Sequence, residues 1–189
     1  MQVKILEEHG YESAAIGFSL SYNTTIERTK ELLPKYAWGI PGENKFLRAI
    51  QIWIDITAPR FFLTELDTYK ISTVRLSEST MHTLSKNSFS DDMFEYPIPV
   101  SILTNLEQAR IAYLNKETTI AEFKNQLPEG FLQRIIFNCN YANLQNIINQ
   151  RKNHRLPQWH YFCDEILKQV EHPEFLDKNL IEKENQNIT

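Results

Sequence analysis

The sequence predicts a single helix-rich α+β domain with a small sheet. With 189 residues the chain can build one sizeable core and is too short for two. Helical periodicity recurs in several segments, whereas a long alternation of apolar and polar residues occurs at residues 50–56. No internal repeat or low-complexity linker divides the chain, so we expect one domain over residues 1–176 and a frayed polar tail over residues 177–189.

The first half of the chain is expected to contain two strands and three helices. Residues 3–6 form a short apolar opening strand, and residues 50–56 place four isoleucines on one face of a second strand. The helices are predicted at residues 11–22, at residues 24–33, and from Pro59 onward to carry Phe61, Phe62, Leu66 and Tyr69. Thr24 or Thr25 is the expected N-cap of the second helix, and Pro34 its expected end.

The second half is expected to be mainly helical. Residues 72–86 are rich in Ser and Thr, and residues 87–99 form a loop bounded by prolines. Apolar residues then recur at helical spacing in four segments, which are residues 100–116, 119–126, 140–151 and 157–170.

The composition excludes several classes of protein. Apolar residues make up 42% and charged residues 23% of the chain, which is typical of a globular protein rather than a disordered one. No apolar stretch is long enough to span a membrane, and no apolar signal segment follows Met1. Two cysteines, Cys139 and Cys163, cannot build a disulfide framework, so we expect a reducing cytoplasm.

Charge is distributed unevenly along the chain, although the net charge is only −4. Residues 131–163 contain no Asp or Glu. The basic residues of this segment are Arg134, Arg151, Lys152 and Arg155, accompanied by His154 and His160. An acid-free segment inside an acidic protein suggests a local anion site rather than a surface that coats nucleic acid. The alternative is a random gap in the placement of acidic residues.

Arg151 is the first candidate for an anion-binding residue. It extends the apolar stripe of the predicted helix 140–151, which consists of Tyr141, Leu144, Ile147 and Ile148. A guanidinium at the edge of a core is costly to desolvate without a partner, and no acidic residue lies nearby in the sequence. The planar fork of arginine suits phosphate. Alternatively, Arg151 reaches water or binds the last carbonyls of its own helix.

The residues that follow Arg151 offer further candidates. His154 and Arg155 lie in the next turn, and Gln158 opens the last helix beside Trp159. Trp159 either stacks on a planar ring of a ligand or belongs to the core. Cysteine and histidine spacing does not match a zinc site, so no metal is expected. Neither a Gly-rich phosphate loop nor a serine nucleophile elbow is present in the sequence.

A second candidate segment spans residues 70–82. Its short hydroxyl side chains lie beside Lys70 and Arg75 and could cradle an anion, while Glu78 could accept a hydrogen bond from a ribose or a base edge. The alternative is that Ser79 or Thr80 caps a helix, which needs no ligand.

Several motifs in this order resemble the flavin-dependent thymidylate synthases over roughly residues 3–170. Gly42-Glu43-Asn44-Lys45 precedes the strand that leads to Ala58-Pro59, and Thr68-Tyr69-Lys70 stands at the Arg-His-Arg signature of that family. Ser77-Glu78-Ser79-Thr80-Met81-His82 matches its second signature. The later matches are Leu127-Pro128, Asn140 to Leu144, Gln150-Arg151 and Gln158-Trp159.

The resemblance implies a flavin-dependent thymidylate synthase-like fold, a homotetramer, and ligand sites built from several subunits. It also implies reductive methylation of dUMP to dTMP with FAD, NADPH and methylenetetrahydrofolate. Three positions depart from the family pattern: Lys70 keeps the one charge of the Arg-His-Arg signature, Ala142 replaces a nucleotide-binding arginine, and His82 replaces the arginine of the second signature. FAD is therefore a doubtful cofactor on the sequence alone.

The function we favour is nucleotide binding by a divergent protein of phage or prophage type, in the cytoplasm of a bacterial host. The ligand would be a phosphate-bearing nucleotide or a nucleotide-derived molecule, with neither nucleic acid nor a membrane as partner. The predicted ligand-binding residues are Lys70, Arg75, Ser77, Glu78, Ser79, His82, Arg134, Asn140, Arg151, His154, Arg155 and Gln158. The alternatives are an active flavin-dependent thymidylate synthase and a structural or interaction protein with a closed pocket.

Overall fold

The computed structural model describes residues 1–39 and 42–181 and confirms the α+β class. The strands are β1 (Gln2–His9), β2 (Gln51–Pro59), β3 (Val74–Ser77) and β4 (Leu132–Asn140), and the sheet has the order β1-β2-β4-β3. The main helices are α1 (Tyr11–Tyr22), α2 (Ile26–Ala37), α3 (Arg60–Leu66), α4 (Thr80–Thr83), α5 (Val100–Leu114), α6 (Ile120–Asn125), α7 (Tyr141–Arg151) and α8 (Pro157–Gln169). Short 3-10 turns lie at Glu43–Arg48, Asp91–Met93 and Pro173–Phe175.

The strand β2 follows the predicted alternation closely. Ile52, Ile54 and Ile56 are buried, while Trp53 and Asp55 on the other face are half-buried. This is the pattern of a strand with one face in the core.

Two strands were not predicted from the sequence. β3 has four residues and lies at the edge of the sheet, where its side chains are mostly exposed and give no core-facing signal. In β4 the buried positions Ile135, Phe137 and Cys139 do alternate, but the apolar Ile136 between them obscures the pattern.

The helix predictions are confirmed with two corrections. α2 begins after Thr25, whose side chain accepts a hydrogen bond from the Arg28 backbone N–H, but it continues through Pro34 to Ala37. The helix continues because Leu33 and Ala37 are both buried, which offsets the hydrogen bond lost at the proline. α3 ends at Leu66, so Tyr69 lies beyond it rather than on it.

The C-terminal tail was expected to fray from residue 177. Residues 178–181 are helical, and the remainder of the predicted tail, residues 182–189, lies outside the described residues.

Contacts along the chain group it into two compact units. The first unit comprises Met1–Gln2, Ile56–Thr68 and Leu76–Ile135, and the second comprises Val3–Asp55, Tyr69–Arg75 and Ile136–Thr189. Within the first unit, Leu84, Ala109, Phe123 and Leu127 form a buried cluster. Within the second unit, the largest fully buried side chains include Trp159, Tyr141, Phe162 and Phe175.

Candidate functional site

Arg151 ends α7 and lies between two aromatic rings of the second unit. Its Nε donates a hydrogen bond of 2.9 Å to the Tyr69 hydroxyl. The guanidinium carbon lies over the Trp159 ring, 4.8 Å from its centroid, and 5.6 Å from the centroid of Tyr69. At these distances both rings attract the cation through their negative faces. The predicted position of Arg151 at the end of the apolar stripe is thus confirmed, with aromatic neighbours that the sequence did not reveal.

Tyr69 itself is fixed by the same helix. Its hydroxyl donates a hydrogen bond of 2.9 Å to Gln150 Oε1, and Gln150 Nε2 donates one of 2.9 Å to Asn146 Oδ1. The Tyr69 ring packs edge-on against Trp159, with ring centroids 6.2 Å apart and an interplanar angle of 74°. Tyr69 was not predicted as a site residue, although its alignment with the central histidine of the Arg-His-Arg signature was a signal that could have found it.

The segment that follows Tyr69 is tied to the first turn of α7. Asn143 Nδ2 donates a hydrogen bond of 2.8 Å to the carbonyl of Ile71, and Thr73 Oγ1 donates one of 2.6 Å to the carbonyl of Tyr69. The Lys70 side chain is exposed, and Arg75 is half-buried on β3. Lys70 and Arg75 both belong to the second unit, as Arg151 does.

Asn140 has a local structural role that its prediction as a ligand-binding residue did not include. It is the N-cap of α7, where its Oδ1 accepts a hydrogen bond of 3.0 Å from the Asn143 backbone N–H. α7 has 11 residues, so its two ends are about 16 Å apart at about 1.5 Å per residue. The structure therefore does not bring Asn140 and Arg151 together.

The predicted residues that follow Arg151 differ in their exposure. His154 is half-buried, accepts a hydrogen bond of 3.2 Å from the Leu156 N–H, and lies 6.3 Å from Trp159 between ring centroids. Arg155 is exposed, whereas Gln158 is buried in the first turn of α8. Trp159 is fully buried, which agrees with its interpretation as a core residue. Arg151 and His154 thus both lie beside Trp159.

The predicted residues of the first unit form a separate group on β3, α4 and β4. Ser77, Ser79 and His82 are exposed. The Glu78 backbone N–H donates a hydrogen bond of 2.9 Å to the carbonyl of Arg134, so Glu78, just after β3, lies beside Arg134 of β4. Ser79 occupies the N-cap position of α4 but makes no side-chain capping bond. The capping alternative therefore has no side-chain hydrogen bond at Ser79 to support it.

The described residues of each unit line more than one cavity. In the second unit, one cavity of about 610 Å³ lies between α1 and the turn Glu43–Arg48, with Phe18, Tyr22 and Phe46 as aromatic walls. In the first unit, one cavity of about 350 Å³ is lined by Glu78, among others. Arg151 lines neither of these two cavities.

Three further observations limit the chemistry of the described residues. Burial raises the pKa of the Cys163 thiol to about 12 and also raises that of Cys139, so neither is a ready nucleophile. Among residues 1–39 and 42–181, no group of His, Cys, Asp and Glu is arranged to hold a metal ion. None of the helices in that same part of the chain is both long and apolar enough to cross a bilayer.

Solved structures share the fold of this chain. The chain superposes on flavin-dependent thymidylate synthase ThyX from Helicobacter pylori complexed with FAD and dUMP with a TM-score of 0.79, at 15% sequence identity, covering 94% of this chain and 99% of that one. A second structure of ThyX from Helicobacter pylori, also with FAD and dUMP, gives a TM-score of 0.78 at 16% identity, with 93% and 97% covered. No family model and no curated protein sequence matches the chain.

The chain therefore has the fold of the flavin-dependent thymidylate synthases, as the resemblance of its motifs predicted. At this level of identity the likeness establishes the fold and not the activity.

Proposed function

We propose that this protein binds a phosphate-bearing nucleotide or a nucleotide-derived molecule, and that Arg151 supplies the contact to its negative oxygens. The observation that carries the proposal is the geometry of Arg151, a half-buried residue whose guanidinium is fixed at Nε by Tyr69 and packed over Trp159. The hydrogen bond from Nε to the Tyr69 hydroxyl orients the guanidinium. Phosphate suits such a group because its oxygens match the paired donors of the fork.

Two further observations support this proposal. The segment that contains α7 and the start of α8, residues 131–163, has no Asp or Glu of its own, although its Lys152 lies 3.9 Å from Asp177 Oδ1. In addition, both ThyX structures from Helicobacter pylori that share this fold are complexes with FAD and dUMP, so the fold is suited to holding a nucleotide.

The proposal includes no flavin chemistry, because the residues at the Arg-His-Arg signature do not fit it well. Lys70 offers one ammonium where the signature offers two guanidinium groups. Thr68 donates its hydroxyl to the carbonyl of Glu65, and Tyr69 donates its hydroxyl to Gln150. Each of these two side chains thus uses its single hydroxyl proton within the chain rather than for a flavin phosphate.

A homo-oligomer, a tetramer by the resemblance, is part of the proposal, because a second copy could complete the site of Arg151. Exposed apolar side chains support such contacts, since Leu20 on α1 is 78% exposed and Val100 on α5 is 77% exposed. Light scattering of the purified protein should therefore give a multiple of 22.3 kDa. Leu20→Asp should lower that mass, and a monomeric wild type would exclude this part of the proposal.

We place the protein in the bacterial cytoplasm, encoded by a phage or prophage.

Thermal unfolding tests the nucleotide site by mass action. We expect dUMP to raise the melting temperature more than deoxyuridine, which lacks the phosphate. Arg151→Ala should weaken dUMP binding about tenfold to a hundredfold, because a hydrogen bond to a charged group contributes about 1.5–3 kcal/mol. Arg28→Ala is the matched control, because it removes an exposed guanidinium on α2.

Different outcomes of these experiments would reject the role of Arg151 or favour one of the other two functions. Equal affinity of dUMP for Arg151→Ala and the wild type would reject the role of Arg151, and circular dichroism would show whether the variant is folded. Visible flavin absorbance that survives dialysis, together with rescue of a thymidine auxotroph, would favour an active thymidylate synthase. The shared fold with FAD complexes makes that the second candidate. No response to any nucleotide would favour a structural protein with a closed pocket.

A further inference from the structure

The hydrogen bonds around Arg151 run in a direction that its chemistry fixes. The Nε of arginine can donate and cannot accept, so the Tyr69 hydroxyl must accept in the 2.9 Å bond between them. The single hydroxyl proton of Tyr69 is then directed to Gln150 Oε1, also at 2.9 Å. Gln150 in turn uses its amide group to donate to Asn146 Oδ1. The proton positions along this series therefore follow from the heavy atoms.

We propose that Tyr69 is a positioning residue for Arg151, and that Gln150 holds Tyr69 in the accepting orientation. The inference rests on the proposed function, because it states how the anion-binding guanidinium is aimed. Tyr69 does not contact the phosphate in this arrangement, since its only proton is used in the bond to Gln150. Gln150 and Asn146, which are exposed residues of α7, thereby support the site without touching the ligand.

The hydrogen bond to Tyr69 also limits how Arg151 can meet the ligand. A guanidinium can hold two oxygens either through Nε and one Nη or through both Nη atoms. Tyr69 occupies Nε, and the Trp159 ring lies against one face of the group. Pairing through Nε is therefore excluded for the phosphate while Tyr69 holds that donor. Lysine cannot reproduce this geometry, because its ammonium has no planar fork.

Tyr69→Phe tests the inference, because it keeps the ring beside Trp159 and removes the hydroxyl alone. We expect dUMP affinity, measured by calorimetry, to fall about threefold to tenfold, which matches the loss of one orienting hydrogen bond. Affinity for deoxyuridine should stay unchanged, because the uncharged nucleoside does not depend on the aim of Arg151. A loss of global stability would lower both affinities, so this comparison separates positioning from a merely structural role.

A double-mutant cycle tests the role assigned to Gln150. Gln150→Ala should weaken dUMP binding in the wild type and have no further effect in the Tyr69→Phe background. Additive effects would overturn the claim that Gln150 acts through Tyr69. Asn149→Ala, at the neighbouring exposed position of α7, is the control and should leave dUMP affinity unchanged.

A measurement without any ligand keeps the two proposals distinguishable. The Nε–H resonance of Arg151, assigned by its absence in Arg151→Lys, should exchange slowly with solvent in the wild type and faster in Tyr69→Phe. Unchanged exchange would overturn the positioning role of Tyr69. If Arg151→Ala loses dUMP binding while Tyr69→Phe binds as the wild type does, the inference fails and the proposed function stands. If the wild type binds no nucleotide, the proposed function fails, and with it the inference.

Discussion

Asn140 and Asn143 cap the start of α7 reciprocally. Asn140 Oδ1 accepts the backbone N–H of Asn143 at 3.0 Å, and Asn143 Oδ1 accepts that of Asn140 at 3.3 Å. Two backbone donors that the helix geometry leaves without partners are thereby satisfied at the first turn. Asn143 also uses its Nδ2 to hold the carbonyl of Ile71, so this cap connects α7 with the segment that follows Tyr69.

This capping role predicts the effect of substituting Asn140. Asn140→Ala should lower the free energy of unfolding by about 1 kcal/mol, while Asn140→Ser should retain most of it, because serine also caps well. Urea unfolding at neutral pH measures both values. Asn140→Ser should bind dUMP as the wild type does. Loss of binding at unchanged stability would instead support the predicted ligand contact of Asn140.

The fold was predictable where the signal is local. α1 and α7 were predicted within a residue of their bounds, because helical spacing and caps depend on residues three or four apart. β4 was missed because Ile136 interrupts its alternation, and β3 because an exposed edge strand has little apolar pattern.

The candidate site was predictable only in part, for a related reason. The position of Arg151 follows from the period of its own helix. Its neighbour Tyr69 is 82 residues away in the chain, so composition and periodicity alone could not pair them. Asn140 was grouped with Arg151 because both match one family motif, yet a helix of 11 residues keeps its two ends apart.

Gly10 is required by a close backbone approach as well as by its conformation. Its φ is +104°, and a Cβ there would lie 2.3 Å from the carbonyl oxygen of Ala49. Gly10→Ala should therefore lower the free energy of unfolding by about 3 kcal/mol or more, since strain and overlap both contribute. Gly42→Ala is the control, because Gly42 has a φ of +108° with no atom within 4 Å of the added carbon. Gly42→Ala should lower the free energy of unfolding by only about 1–2 kcal/mol. Equal losses in the two variants would show that the overlap with Ala49 relaxes.

The side chain of Gln169 protects the outer edge of the sheet. Its Oε1 accepts the N–H of Ile5 at 3.0 Å, and its Nε2 donates to the carbonyl of Val3 at 3.1 Å, on the edge strand β1. A primary amide thus takes the place of a neighbouring strand. An edge without such cover is a template for pairing with another chain.

Gln169→Ala should therefore reduce stability and promote self-association. We expect a loss of about 1–2 kcal/mol for two hydrogen bonds, and aggregation that rises with protein concentration. Urea unfolding and light scattering measure these effects. Gln169→Glu keeps the acceptor for Ile5 and loses the donor, so it should have an intermediate effect. Lys168→Ala, which removes an exposed ion pair on the same helix, should change stability by less than about 0.5 kcal/mol.

Glu107 and Arg110 form an ion pair that makes the stability of the fold depend on pH. Arg110 donates to both carboxylate oxygens, with Nε at 2.9 Å and Nη2 at 2.6 Å, and its Nη1 donates to the carbonyl of Ser85 at 3.1 Å. Glu107 also accepts from the Phe89 N–H and the Ser88 hydroxyl. The hydrogen bonds from Arg110, above all, lower the pKa of Glu107 from 4.5 to about 2. The pair thereby fastens the loop at residues 85–89 to α5.

A carboxyl with a lower pKa in the folded state than in the unfolded state stabilises the fold only while it is ionised. The contribution of Glu107 is therefore complete above pH 4.5 and is lost as the pH falls from 4.5 towards 2. Glu107→Gln should cost about 1–2 kcal/mol at pH 7, allowing for partial screening by solvent. The difference from the wild type should shrink at pH 3, because the wild type loses this contribution and the variant has none to lose.

Urea unfolding of both proteins at pH 7, 4.5 and 3 tests this expectation. Glu117→Gln, at an exposed position just after α5, is the control and should follow the wild type at every pH. A constant difference between Glu107→Gln and the wild type across the three pH values would mean that packing or hydrogen bonding, and not the charge of Glu107, holds the loop. In that case the ionised pair with Arg110 would not explain how residues 85–89 are held against α5.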